Sequence, residues 1–285
     1  MQFHQPTDID EAVSLLSKNQ GATCLAGGAT LVAMMNARLV EPETLVSLKG
    51  IAELSAIERL ADGSVRIGAM CRHRDTAQCT ILTDGQLLVS AAAACIANPV
   101  VRNMGTIGGS IAFADPAADY PPALVAVGAV IEISGPEGTR EVNAHEFFVD
   151  WYTTVLTPGE LIVAVRVPAM PIGSVGVYHK LARVSGDFGI ASVAVVLSML
   201  GEICQYIRIA IGGCGPTPVS LPEVESALTG QSIEDDSLHA AGKHLANACD
   251  PVDDVRASAE YRRVVVQRMV VRAVNEARSR CGNTE

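Results

Sequence analysis

The sequence predicts an α+β chain built from three successive units, and three observations carry that prediction. Strand and helix signals alternate in a βαβ-like rhythm over residues 1–54. A mixed strand-and-helix stretch then runs to the proline pair Pro168 and Pro171. Beyond residue 174, three strand-like runs precede three helical ones, the order of a separate sheet-plus-helices domain. The expected organisation is a two-part domain, 1–54 and 55–173, followed by a small C-terminal α+β domain, 174–285.

Each element has a local reason. Thr7 or Asp8 can cap a first helix that places Ala12, Val13, Leu15 and Leu16 on one face, with acids near its start. Ala22–Leu25 reads as a short strand running into Gly27-Gly28, followed by a helix at Thr30–Arg38 and a strand at Thr44–Leu48. In the second part, Val65–Gly68 reads as a strand, Arg72–Cys79 as a helix, and Leu87–Ala97 as a small-residue helix ended by Asn98-Pro99. Val127–Ser134 is a strand stopped by the turn Gly135-Pro136-Glu137-Gly138, and Leu161–Val167 is another. The last domain offers strands at Val175–Arg183, Ile190–Met199 and Ile203–Gly212, then helices at Leu221–Leu228, Asp235–Cys249 and Ala257–Arg280.

Composition narrows the function. The 285 residues are 49% hydrophobic and only 18% charged, as expected if part of the surface is covered by partners. A net charge of −10 argues against a nucleic-acid binder, although Arg262, Arg263, Arg268, Arg272, Arg278 and Arg280 crowd the last helix. That cluster reads equally as a solvated face or a docking surface. The start lacks an apolar leader and the most apolar run, Ile190–Leu200, is too short to span a bilayer; a soluble, cytoplasmic protein is expected. The eight cysteines contain no CxxC pair, so neither a zinc ribbon nor an iron–sulfur cluster held by this chain alone is expected. The six histidines are isolated and belong to no pattern.

Two glycine-rich segments sit where strands meet helices: Ala26-Gly27-Gly28-Ala29-Thr30-Leu31 and Gly105-Thr106-Ile107-Gly108-Gly109-Ser110. Glycines admit a ligand close to the backbone, and bare N–H groups at a helix start suit an anion. Taken singly, each reads as a tight turn. Neither is a phosphate-binding P-loop or a GxGxxG fingerprint, so a bound diphosphate has to be gripped by both together. Asp115 and Asp119 follow on a proline-bounded loop, placed either to cap a helix or to accept sugar hydroxyls.

Together these segments resemble the FAD-binding subunits of the molybdenum hydroxylases, over nearly the whole chain. The resemblance rests on Phe3-His4-Gln5-Pro6, both glycine loops in order, Arg102-Asn103-Met104-Gly105, and Asp115-Pro116-Ala117-Ala118-Asp119. It continues through Leu156-Thr157-Pro158-Gly159-Glu160, Tyr178 to Phe188, and Ile209 to Pro218. It implies a two-part FAD domain of the p-cresol methylhydroxylase/vanillyl-alcohol oxidase type. It further implies that Ala26, Gly27, Gly28, Ala29, Thr30 and Leu31, with Thr106, Ile107, Gly108, Gly109 and Ser110, wrap the diphosphate, mostly through backbone N–H groups. Asp119 is expected to accept ribityl or ribose hydroxyls, Leu156 and Lys180 to line the site, and Phe188 to lie near the isoalloxazine ring or simply in the core. Lys180 would then favour an anionic reduced flavin by its charge. Ser110 stands where the family often has asparagine, and Gly189 where alanine is common.

For function, the resemblance implies electron transfer without a catalytic residue or metal ligand in this chain. Molybdopterin belongs to a large partner subunit and two [2Fe–2S] clusters to a small one, in a dimer of heterotrimers, with NAD, a quinone or oxygen as acceptor. Two rivals share the fold. A self-contained FAD oxidase would need more than the C-terminal stretch of about a hundred residues for a substrate domain and cap. An assembly module that had lost its cofactor would show broken glycine loops, and both are intact.

Overall fold

Asp8 begins the first helix: its side chain accepts the Glu11 N–H at 2.7 Å, satisfying one of the donors a helix start leaves open. The computed structural model describes residues 1–19 and 21–282. In the first unit, β1 (Gln2–His4), α1 (Ile9–Lys18), β2 (Ala22–Leu25), α2 (Leu31–Asn36) and β3 (Thr44–Ser47) form a parallel sheet ordered β1-β3-β2. Parallel neighbours need a crossover, and α1 and α2 supply it. The second helix is shorter than expected, because Arg38 already adopts a positive φ of 57°.

The second unit holds β4 (Ile57–Arg59), β5 (Val65–Gly68), α3 (His73–Ala77), α4 (Leu87–Cys95), α5 (Pro99–Arg102), α6 (Ile107–Phe113) and α7 (Tyr120–Ala126). After them come β6 (Val130–Gly135), β7 (Gly138–Asn143), α8 (Ala144–Phe147), β8 (Phe148–Asp150), β9 (Thr153–Thr154) and β10 (Leu161–Val167). Five of these strands make an antiparallel sheet, β4-β5-β10-β6-β7, with the expected glycine turn joining β6 to β7. Two expectations are corrected here. The strand expected from Val127 begins at Val130, because Val127 closes α7. Tyr120 and Pro121 read as the end of a proline-bounded loop, yet they open α7, with Pro121 and Pro122 in its first turn, where the missing N–H is not needed.

The third unit is the antiparallel sheet β11 (Val175–Leu181), β12 (Ala191–Leu200) and β13 (Ile203–Gly212), followed by α9 (Pro222–Leu228), α10 (Asp235–Ala248) and α11 (Ala259–Cys281). Strand β12 is apolar at nearly every position because both of its faces are covered. Val193, Val195 and Leu197 pack in the core shared with α10 and α11, while Ala194 and Val196 join the core of the second unit. Burying both faces of one strand therefore fastens the third unit to the second.

Candidate functional site

Loops from all three units converge on a cleft of about 630 Å³, within the range of a cofactor site. Its walls are residues 26–31 from the first unit, 105–119 and 156–162 in part from the second, and 186–188 from the third. Among the described residues its lining carries no lysine or arginine; its charged members are Asp115, Asp119, Glu160 and Asp187.

The first glycine loop is an open donor array. The N–H groups of Gly27, Gly28, Ala29 and Thr30 meet no protein acceptor among the described residues. Gly28 adopts a φ of +78°, a conformation only glycine takes at little cost. A Cβ on Gly27 would lie 1.8 Å from the Met104 carbonyl oxygen, so the two loops touch backbone to backbone.

The second loop is built differently. Ile107 N–H donates to Cys71 O, Gly108 N–H to Ala69 O, and Ser110 N–H to Thr106 O, at 2.9–3.0 Å. Gly109 N–H donates to the Thr106 hydroxyl at 3.1 Å, which makes Thr106 the N-cap of α6. The donors of residues 107–110 are thus bonded within the chain, whereas the N–H of Thr106 meets no protein acceptor among the described residues. Ile107 has no exposed surface and packs in the core, outside the cleft wall. Thr106, Gly108, Gly109 and Ser110 do line it, as do Ala26 to Leu31.

Asp119 also reaches the cleft, held from behind. Its Oδ1 accepts the Tyr178 hydroxyl at 2.8 Å and its Oδ2 accepts Lys180 Nζ at 3.0 Å. Burial pushes its carboxyl up, against the pull of the Lys180 ammonium. Lys180 also donates to Cys95 O at 2.7 Å, with its side chain only 8% exposed. It lies behind the cleft wall rather than in it, its ammonium paired with Asp119.

Leu156 lines the cleft beside Glu160, whose carboxylate takes two hydrogen bonds from Arg140 that hold its pKa down at about 2. Phe188 is not a core residue: it is 48% exposed, lines the cleft, and lies under the Arg256 guanidinium, 5.5 Å from the ring centroid. Nearby, Phe113 also lines the cleft and meets Tyr152 edge to face at 5.3 Å. Reasoning from sequence missed Phe113, whose spacing carried no signal, and His73, which stands alone in the chain. Asp115 was noted but left between two roles; its Oδ1 accepts the Ala117 N–H at 2.9 Å, and the residue borders the cleft.

Bare N–H donors, carboxylates and half-exposed rings around one cleft fit a ligand with a diphosphate, hydroxyls and an aromatic system. Residues 1–170 match the family described as the FAD binding domain in molybdopterin dehydrogenase, and residues 176–277 the CO dehydrogenase flavoprotein C-terminal domain. This chain belongs to that flavoprotein family. The carbon monoxide dehydrogenase medium chain of Hydrogenophaga pseudoflava is 38% identical, covering 98% of both chains. The nicotine 6-hydroxylase medium subunit of Paenarthrobacter nicotinovorans is 34% identical with the same coverage. A solved structure of the Hydrogenophaga pseudoflava carbon monoxide dehydrogenase superposes with a TM-score of 0.95 at 38% identity, covering 99% of this chain and 98% of that one. The cofactor of the subunit is FAD. Among the described residues, no helix is long and apolar enough to cross a membrane.

Proposed function

We propose that this chain is the FAD-carrying electron-transfer subunit of a molybdenum-dependent hydroxylase complex. The observation that carries the reading is the donor array at residues 27–30, facing a cleft closed by all three units of a family flavoprotein. In this reading substrate is oxidised at molybdopterin in a large partner subunit. Electrons reach the FAD through [2Fe–2S] clusters of a small one, in a cytoplasmic dimer of heterotrimers, and leave to NAD, a quinone or oxygen. FAD supplies the ability to accept electrons singly and release them in pairs.

The chain's share is binding and orientation. Residues 26–31 donate to the diphosphate, with Thr106 and Gly108 to Ser110 shaping the opposite wall. Asp119, fixed by Tyr178 and Lys180, accepts a sugar hydroxyl through its remaining lone pairs. Leu156 and Phe188 border the aromatic end, while Ile107 and Lys180 support the wall from behind. The FAD domain, 1–173, is of the p-cresol methylhydroxylase/vanillyl-alcohol oxidase type, and 174–285 is the smaller domain that completes the cleft.

Purification of the native complex tests this reading. Flavin bands, FAD released by acid and co-purification with a molybdopterin subunit and an iron–sulfur subunit are expected. A colourless complex, or a lone yellow protein that oxidises substrate by itself, would overturn it.

A further inference from the structure

His73 begins α3 and is 5% exposed, yet it borders the cleft. Its backbone N–H donates to Gly105 O at 3.0 Å, which ties it to the start of the second loop. The Nε2–Cδ2 edge of its ring lies against that glycine: a Cβ there would lie 2.4 Å from Nε2 and 2.8 Å from Cδ2. On the other side, Nδ1 faces the Tyr120 hydroxyl at 3.3 Å.

Two tautomers satisfy this pair, because a phenol hydroxyl can donate to Nδ1 or accept from it. Tyr120 has no exposed surface, and burial pushes its phenol up, so the hydroxyl keeps its proton. Burial, assisted by the charge of Arg102, holds the His73 imidazole at about 4, so the ring is neutral at pH 7. A neutral imidazole has one N–H. In the tautomer in which Nδ1 accepts from Tyr120, that N–H is at Nε2. Among the described residues Nε2 has no protein partner.

The surroundings explain what such a donor is for. The cleft lining contains no lysine or arginine among the described residues, and His73 is its one basic side chain. On this side of the cleft, the N–H groups of residues 107–110 are already bonded. A dianionic diphosphate needs donors on both sides, and those on one side come from residues 27–30. A neutral donor answers that need without the several kcal/mol that an unpaired buried cation costs.

We propose that His73 is a further FAD-binding residue, whose Nε2–H donates to a diphosphate oxygen between the two loops. Tyr120 is its positioning residue, holding the ring plane and, in that tautomer, donating to Nδ1. The proposal rests on the FAD reading above, and its test separates the two.

FAD affinity of the flavin-free full-length chain is measured by fluorescence titration for wild type, His73→Leu and His73→Gln. A hydrogen bond to a charged group contributes about 1.5–3 kcal/mol. His73→Leu is therefore expected to weaken FAD binding by roughly 10- to 100-fold. His73→Gln, which returns an amide N–H near the Nε2 position, is expected to recover most of the loss. Equal affinity for wild type and His73→Leu would overturn the proposal and leave the FAD reading intact. Wild type that fails to bind FAD would overturn both. Because the leucine variant strands the Tyr120 hydroxyl and can fail to fold, wild type provides a second measurement. The imidazole Nε2–H resonance of His73 should shift and exchange more slowly with FAD but not with riboflavin, which lacks the diphosphate. No change with FAD, or the same change with riboflavin, overturns the proposal.

Discussion

Loop 26–31 leaves the N–H groups of Gly27 to Thr30 without a protein acceptor, whereas in loop 105–110 those of Ile107 to Ser110 are bonded within the chain. Both are glycine-rich and both lead into a short helix, the first after the strand β2 and the second after the helix α5. The difference assigns them separate work. The first presents donors to the cofactor. The second is a scaffold that braces the first through Met104 and Gly27 and sets His73 and Ser110 at the opposite wall.

The largest expected effect attacks the brace. Gly27→Ala places a methyl group 1.8 Å from a backbone oxygen, which neither loop can yield without moving. A loss of about 3 kcal/mol in unfolding free energy is expected, at the upper end for overpacking, together with loss of bound FAD. Gly109→Ala meets only the Thr106 hydroxyl at 3.0 Å and the Ala26 methyl at 3.6 Å, and should cost less than about 1 kcal/mol. Denaturant unfolding of the two variants measures the contrast; equal losses would mean the loops do not brace each other.

A comparable effect comes from pH. His73 has a folded pKa of about 4 against an ordinary value of 6.5, with Tyr120 on α7 and Arg102 on α5 facing it. A histidine whose folded pKa is lowered contributes stability that is present above the unfolded pKa. That contribution is lost as pH falls through the window from 6.5 toward 4, because the unfolded chain takes up the proton first. The FAD-free protein should lose on the order of 3 kcal/mol across that window through this group. Subtracting the pH profile of His73→Gln isolates the term, since the many carboxylates titrate in both proteins. A difference profile flat between pH 6.5 and 4 would sink the argument.

These cases show where the sequence is legible. The doubled glycines marked both loops because a positive φ at Gly28 and a backbone contact at Gly27 leave a compositional trace. Three strand-like runs ahead of three helical ones likewise marked the third unit, where β12 is apolar at nearly every position because both faces are buried. Hydrogen-bond saturation leaves no such trace. Whether Gly108 N–H is available depends on Ala69, 39 positions earlier in the chain, which only the fold brings near. Lys180 reads as a cation for the site until Asp119 and Cys95 are found to hold it. His73 is silent in sequence because its partner Tyr120 is distant in the chain, and α7 was hidden by the two prolines of its first turn.

A smaller effect is expected at Gly28. Its φ of +78° imposes about 1–2 kcal/mol on any residue with a Cβ, so Gly28→Ala should lower the thermal midpoint by several degrees. Because the strain distorts the donor array directly, FAD affinity should fall as well. A thermal shift assay with and without FAD separates these contributions, and unchanged FAD affinity would argue that the array does not depend on this conformation.

The smallest effect is the most discriminating, since it compares the same residue type in both loops. Thr106 caps α6 through its hydroxyl, whereas Thr30 makes no side-chain hydrogen bond at the start of α2. Thr106→Ala should cost about 1 kcal/mol in the FAD-free protein, and Thr106→Ser should restore it. Thr30→Ala should leave the FAD-free protein unchanged within about 0.5 kcal/mol and instead weaken FAD binding, if its hydroxyl joins the open N–H groups beside it. Unfolding curves of the FAD-free variants paired with FAD titrations give both quantities. Reversal of the pattern, with stability lost at Thr30 and FAD affinity alone at Thr106, would mean that the second loop is the donor array and the first the scaffold.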